Sequence, residues 1–145
     1  MLTRLVIPTL LLALSNGCES LDKDIDSYLD AYAERGESTC MCVWDIVRPA
    51  YESQDACFEF FEVSDEGRDC VHMTLDDDDH AAEILGCRVD AERAQASCLG
   101  ALCNMSKEAK AEGAGDCKDS YDNMLMACEA LKASTKEEIM DCLAD

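Results

Sequence analysis

The chain has 145 residues, 48% of them apolar but only 6% aromatic, with eleven cysteines and a formal charge of −20. So acidic a surface repels phosphate backbones and anionic headgroups, which argues against nucleic-acid binding and against electrostatic docking on a membrane. The length suggests one small domain whose core is aliphatic side chains and cystine.

The first element is a basic Met1-Leu2-Thr3-Arg4, an apolar run from Leu5 to Leu14, and Ser15-Asn16-Gly17 before Cys18. This is the layout of an export signal. The run carries Pro8 and falls short of the roughly 20 apolar residues that span a bilayer. Residues 1–19 resemble a bacterial lipoprotein precursor, with Gly17-Cys18 in place of its small residue and cysteine; Ser15 and Asn16 depart from its usual box. The resemblance implies that 1–17 is a lipoprotein signal peptide and that Cys18, diacylated at sulfur, becomes the new N-terminus. Residues 18–36 would then carry the anchor and begin the first helix, with 37–145 completing one cysteine-rich helical domain. Glu19 fits sorting to the outer membrane, since the residue resembling an inner-membrane retention signal would be Asp. Ordinary secretion, with cleavage after Ser15 or Gly17, is the alternative. Loss of 1–17 removes one base, Arg4, and no acid, so the formal charge becomes −21.

Beyond Cys18 the periodicity is helical. Leu21, Ile25, Tyr28, Tyr32, Thr39, Val43 and Val47 recur at three- and four-residue steps, predicting a long helix loosened at Gly36 and ending near Arg48, before Pro49. Ser53 is the predicted N-cap of a short helix carrying Cys57, Phe60 and Phe61, and Gly67 falls in a polar connection. Thr74 with Asp77 reads as the capped start of a helix with a buried stripe of Ile84, Cys87, Ala91, Ala94, Cys98, Leu102 and Met105. Gly113-Ala114-Gly115 reads as a turn, followed by a helix using Cys117, Tyr121, Met124, Cys128 and Leu131. Ser134 and Glu137 form a capping box for a last helix through Leu143. With no β-branched alternating run, the expected fold is all-α: a disulfide-stapled array of four to six helices.

With Cys18 used as acyl carrier, ten cysteines are left for five disulfides: Cys40, Cys42, Cys57, Cys70, Cys87, Cys98, Cys103, Cys117, Cys128 and Cys142. Cys87 and Cys98 are separated by ten residues, as are Cys117 and Cys128. An eleven-residue step is three helical turns plus about 20°, so each pair lies on one face. The spacing is similar to the twin Cys-x9-Cys hairpin of small intermembrane-space proteins, with one residue more in each spacer. Two ladders suit an antiparallel hairpin. One has equal index sums: Cys87 with Cys128 and Cys98 with Cys117, leaving Cys103 for Cys142. The other, favoured by a turn near Gly113, pairs Cys87 with Cys142, Cys98 with Cys128 and Cys103 with Cys117. Cys40, Cys42, Cys57 and Cys70 are expected to pair among themselves. Cys40 and Cys42, about 200° apart around a helix, should reach different partners.

Several motifs suggest chemistry. Asp76 to Asp79 with His80 presents hard ligands suited to calcium, but acids also crowd helix N-termini, where the dipole favours them. Asp22, Asp24, Asp26 and Asp30 match EF-hand positions, while Ser27 stands where the loop needs Gly and Ala33 where it needs Glu, so no metal site is expected there. Cys40-Met41-Cys42 is the one redox-like spacing, and with His72 or His80 it suggests zinc. Both uses need free thiols, against the matched cysteine count. The chain has two histidines, no nucleophile elbow and no phosphate loop. Asn104-Met105-Ser106 fits a glycosylation acceptor, relevant in a eukaryotic host. Trp44 and Phe58 to Phe61 are expected in the core. The sequence therefore predicts a non-catalytic cell-envelope lipoprotein, without cofactor or metal, held to a membrane through Cys18. The alternatives are a secreted thiol-disulfide protein using Cys40 and Cys42 and an acidic calcium-binding module.

Overall fold

The computed structural model describes residues 18–76 and 78–144. The expected signal, residues 1–17, and Asp77 lie outside the described residues. Six helices carry the fold: α1 (Cys18–Cys42), α3 (Gln54–Phe61), α4 (Asp65–Leu75), α5 (Asp79–Ala101), α6 (Lys107–Ala127) and α7 (Ala133–Ala144). A single turn, α2 (Trp44–Val47), and a 3-10 turn at Arg48–Ala50 join α1 to α3. No strand occurs among the described residues, so the fold is the all-α array that the periodicity predicted.

Four helices start at a side-chain cap: Ser53, Ser64, Asp78 and Ser106 accept hydrogen bonds from the backbone N–H groups of Ala56, Gly67, Ala81 and Ala109. Each cap contributes about 1 kcal/mol. Ser53 is the predicted cap of α3. At α5 the cap is Asp78, not Thr74, because Thr74 lies inside α4, a helix placed where the sequence suggested a connection around Gly67. Ser106 of the acceptor motif starts α6. Ser134 lies inside the first turn of α7 rather than ahead of it.

The expected weak points are also displaced. α1 runs unbroken through Gly36 and ends at Cys42, and the chain bends at Val43. Gly36 lets α3 approach, since a Cβ there would overlap the Phe61 side chain. Gly113-Ala114-Gly115 is within α6, and the reversal occurs at Leu102–Ser106 instead. A Cβ on Gly113 would come within 2.6 Å of Leu102 Cδ2, so this glycine makes the hollow into which the turn's leucine packs.

α1 is the axis of the molecule. Along its length it meets three apolar clusters: Ile25, Tyr28, Leu29 and Ala31 with parts of α4, α5 and α7; Tyr32 and Cys40 with Cys57 and Phe61 of α3; and Val43, just past its end, with Leu99, Leu102 and Cys117. α1 and α5 run parallel, with Asp24 beside Gly86, Ser38 beside Gly100 and Cys42 bonded to Cys103. The α5 stripe against α1 is Ala82, Leu85, Val89, Glu92, Ala96 and Leu99. Of the predicted stripe, Ile84, Ala91 and Leu102 are buried, but Cys87, Ala94 and Met105 are exposed. Cys87 and Cys98 instead stand on the α5 shoulder facing α6.

All ten predicted cysteines form disulfides: Cys40–Cys57, Cys42–Cys103, Cys70–Cys142, Cys87–Cys128 and Cys98–Cys117. The α5–α6 pairs follow the ladder of equal index sums, not the one favoured from the sequence, because the reversal precedes Gly113. Cys103 pairs with Cys42 rather than with Cys117 or Cys142, and the first four cysteines do not close among themselves. Parallel α1 and α5 bring Cys42 to the end of α5, and the packing of α4 on α7 brings Cys70 to Cys142.

Candidate functional site

The largest concentration of chemistry is at α3. Six of the eight aromatic residues lie there: Tyr32 from α1, Trp44 from α2, Tyr51, and Phe58, Phe60 and Phe61 from α3. Local sequence explains the arrangement. Gln54–Phe61 is eight residues long and fixed at three points: the Ser53 cap, the Cys40–Cys57 disulfide, and a hydrogen bond from the Gln54 amide to the Cys40 carbonyl at 2.7 Å. Phe61 is driven inward over Gly36, so Phe60, its neighbour on the helix, faces outward and is 51% exposed. The Phe60 ring stands edge-on to Phe61, with centroids 5.0 Å apart and an interplanar angle of 87°, and meets Tyr51 at 5.7 Å. The Tyr32 hydroxyl donates to the Phe60 carbonyl at 3.3 Å. Edge-on aromatic pairs add about 0.5–1.5 kcal/mol beyond burial, so Phe60 is held in place although half its surface is open. The expectation that this cluster is all core is therefore corrected: Phe61 is core, Trp44 and Phe58 are partly covered, and Phe60 is surface.

Beneath the aromatic cluster is a buried ion pair. Glu92, 2% exposed, accepts from Arg35 Nε at 2.5 Å and from the Tyr121 hydroxyl at 2.6 Å. The Arg35 guanidinium lies 5.1 Å from the ring centroids of both Tyr32 and Phe61 and 5.6 Å from that of Tyr121. Burial alone would lower the Arg35 pKa, but the Glu92 carboxylate outweighs it and holds the guanidinium proton more firmly than usual. Burial, with Glu92 adding to it, pushes the Tyr28 phenol up to about 12 and raises Tyr121 as well. Tyr32 is raised chiefly by burial. Glu92, Arg35 and the three phenols thus form one polar layer linking α1, α5 and α6 under the Phe61 ring.

Open hollows flank the Phe60–Phe61 edge. One, of about 190 Å³, is bounded by Tyr32, Glu59, Phe60, Met140 and Leu143; the other, of about 320 Å³, by Ala33, Glu37, Phe58, Phe61 and Glu62. Their walls are largely apolar, and among the described residues the charged ones lining them are Glu37, Glu59 and Glu62. Small-molecule sites usually measure about 300–1,000 Å³ and enclose most of their ligand. Two open hollows at or below that range suit individual side chains of a partner.

The sequence-derived metal and redox candidates are placed otherwise. Asp22 and Asp26 face His72 of α4 at 3.4 and 3.0 Å, and Arg68 contacts Asp26 and Asp30, each at 2.8 Å. Asp22, Asp26 and Asp30 of the EF-like run therefore form one face of α1 gripping α4, while Asp24 lies beside Gly86 of α5. The His72 hydrogen bond holds the Asp26 carboxyl below its ordinary value, against burial, and Arg68 assists. Asp78 caps α5, and His80 meets Glu129 at 3.3 Å. Among the described residues, no group of three His, Cys, Asp or Glu side chains is placed to hold a metal ion. Cys40 and Cys42 go to separate partners, Cys57 and Cys103, as their angular separation required. No protein family, curated protein or solved structure matches the chain.

Proposed function

We propose that the protein is a non-catalytic binding scaffold, exported to the cell envelope and anchored by lipid on Cys18, with an outer-membrane address. The observation that carries this reading is the cysteine arithmetic. Five disulfides take ten of the eleven cysteines, and the eleventh is Cys18, immediately after the signal-like segment. Five disulfides in so small a domain suit an oxidising compartment. No helix among the described residues is long and apolar enough to cross a membrane, so a covalent lipid would supply the attachment. Two or three acyl chains suffice, each buried methylene contributing about 0.8 kcal/mol. α1 would then act as a spacer. Ala33 is fifteen residues beyond Cys18 on the same helix, which at 1.5 Å per residue places the aromatic cluster about 20 Å from the anchor. The scaffold would thus present α3 away from the bilayer.

The test is an intact mass of the protein from its host's membrane fraction, before and after reduction. A chain beginning at Cys18 with acyl mass, gaining ten hydrogens on reduction, is the expected result, ten being the number of cysteines in the five disulfides. A chain without acyl mass refutes the anchor.

A further inference from the structure

We infer that the Phe60 edge of α3 is a docking surface for a basic amphipathic helix from another protein, whose apolar side chains fill the two hollows and whose cations meet Glu37, Glu59 and Glu62. The inference deepens the scaffold reading by naming a class of partner, and it does not depend on lipid at Cys18.

Three features of the surface define that partner. The first is apolar exposure in the right form: Phe60 is 51% and Met140 41% exposed and both line the first hollow, while Ala33, Phe58 and Phe61 line the second. The hollows lie on either side of α3, one beside Glu59 and Phe60 and the other beside Phe58 and Glu62, so an incoming helix crossing α3 meets both with side chains from its apolar face. The second is preorganisation. The Ser53 cap, the Cys40–Cys57 bond, the Gly36 approach and the Tyr32 hydrogen bond fix α3 before anything binds. Ordering side chains at an interface costs about 0.5–1.5 kcal/mol each, and a ring already held edge-on avoids much of that cost.

Charge is the third feature and decides between partners. Among the described residues the three charged ones lining the hollows are all acidic, and the molecule as a whole carries −20. Among the described residues, the cation seated against these aromatic rings is Arg35, which lies beneath them and is committed to Glu92. A second copy of this chain would bring carboxylates against carboxylates, and an anionic bilayer would be repelled. A cationic partner gains steering and a complementary rim, while the apolar centre supplies affinity.

The test titrates the oxidised full chain with a labelled Leu/Lys amphipathic helical peptide, a Leu/Glu peptide with the same apolar face, and a Ser/Lys peptide lacking that face. Binding of the Leu/Lys peptide alone, weakening as salt rises, is the expected result. Phe60→Ser should weaken it about tenfold or more, as loss of a central aromatic anchor does. Glu59→Lys with Glu62→Lys should weaken it further at low salt than at high salt. Phe60 and both glutamates are exposed, so circular dichroism and the urea midpoint should show the fold retained.

Failure of the Leu/Lys peptide to bind, equal binding of the Leu/Glu or Ser/Lys peptide, or an affinity unchanged by Phe60→Ser overturns the inference. Phe60-dependent self-association in sedimentation, or Phe60-dependent binding to zwitterionic vesicles, overturns it in favour of a second copy or a lipid surface. None of these outcomes alters the intact mass, so failure of the docking surface and failure of the anchor are read separately.

Discussion

Glu92 is the residue whose replacement tests the energetic account most directly. Glu92→Met keeps the side-chain length and removes the carboxylate, leaving the Arg35 guanidinium and the Tyr121 hydroxyl without their partner. Removing one side of a buried pair costs about 3–5 kcal/mol, because the surviving charge stays desolvated. The Arg35 side chain is 20% exposed and can turn partly to water, so the lower end, about 3 kcal/mol, is expected for Glu92→Met. Arg35→Met should cost more, about 4–5 kcal/mol, since the Glu92 side chain is only 3% exposed and three ring contacts are lost as well. The double variant should be more stable than Arg35→Met alone, because two apolar side chains replacing a buried pair are often neutral. Urea denaturation under non-reducing conditions, followed by circular dichroism, is the assay; guanidinium chloride would itself screen the pair. At a slope of roughly 1–2 kcal/mol per molar urea, Glu92→Met should lower the midpoint by about 1.5–3 M. Single variants that each cost less than about 1 kcal/mol and add up in the double would refute the claim that this pair organises α1, α5 and α6.

Gly36→Ala should destabilise by about 1–3 kcal/mol through overpacking against Phe61, whereas Gly115→Ala, whose Cβ meets nothing within 4 Å, should stabilise α6 by about 0.5–1 kcal/mol; thermal melts of the two variants give opposite signs. Replacing Cys70 and Cys142 together by Ser should cost about 4 kcal/mol, against about 3 for Cys40 and Cys57, because the first pair closes a separation of 72 residues and the second one of 17; urea midpoints of the two double variants should differ in that order. Tyr28, Tyr32 and Tyr121 hold their protons more tightly when folded than the ordinary value of 10. Their stabilisation is complete below that pH and is lost as pH rises toward about 12, so phenolate absorbance from these rings should appear together with loss of helical dichroism. Phenolate signal from all three at unchanged helicity would contradict the placement of these hydroxyls in the polar layer.

How far the sequence revealed the fold differs by element, for physical reasons. α1 was legible because Ile25, Tyr28, Tyr32, Thr39 and Val43 all face one buried stripe, and no local feature competes with the period. α4 was not, because Asp65–Leu75 buries only Gly67, Val71 and Leu75, and its charges read as a connection. On α5 the cysteines share the apolar period, so a stripe through Cys87 is rotated from the buried one; Cys87 belongs to the α6 contact and is exposed. Glycine misled twice: Gly36 and Gly113 permit close approach between elements, and one sequence does not distinguish that use from a turn. The Arg35–Glu92 pair joins residues 57 apart and left one local sign, an acid in register with Leu85, Val89, Ala96 and Leu99. Disulfide formation was legible from cysteine parity, but connectivity depended on where the α5–α6 reversal fell, a property of packing.

The aromatic end and the acidic surface have linked consequences. A core of leucine, valine, alanine and cystine holds α1 against α4, α5 and α7, and among the buried residues of that cluster the only aromatic one is Tyr28. Most of the rest are concentrated around α3, where Phe60 is half exposed and Trp44, Tyr51 and Phe58 are partly covered. Burial cannot be the whole reason for placing them there, since a half-exposed phenylalanine contributes only part of the roughly 1.5–3 kcal/mol that a fully buried one does. The surrounding carboxylates raise the energy of the compact state by mutual repulsion, and the disulfides offset it by constraining the unfolded chain. A basic partner seated on the Phe60 edge would relieve repulsion and cover the exposed ring together. Occupancy would therefore raise the stability of the whole domain by linkage, in proportion to the logarithm of partner concentration above its dissociation constant. On this argument covalent staples and partner act on the same weakness. The staples would let so acidic a chain fold before such a partner arrived, and the charge that strains the free domain would make the bound state selective.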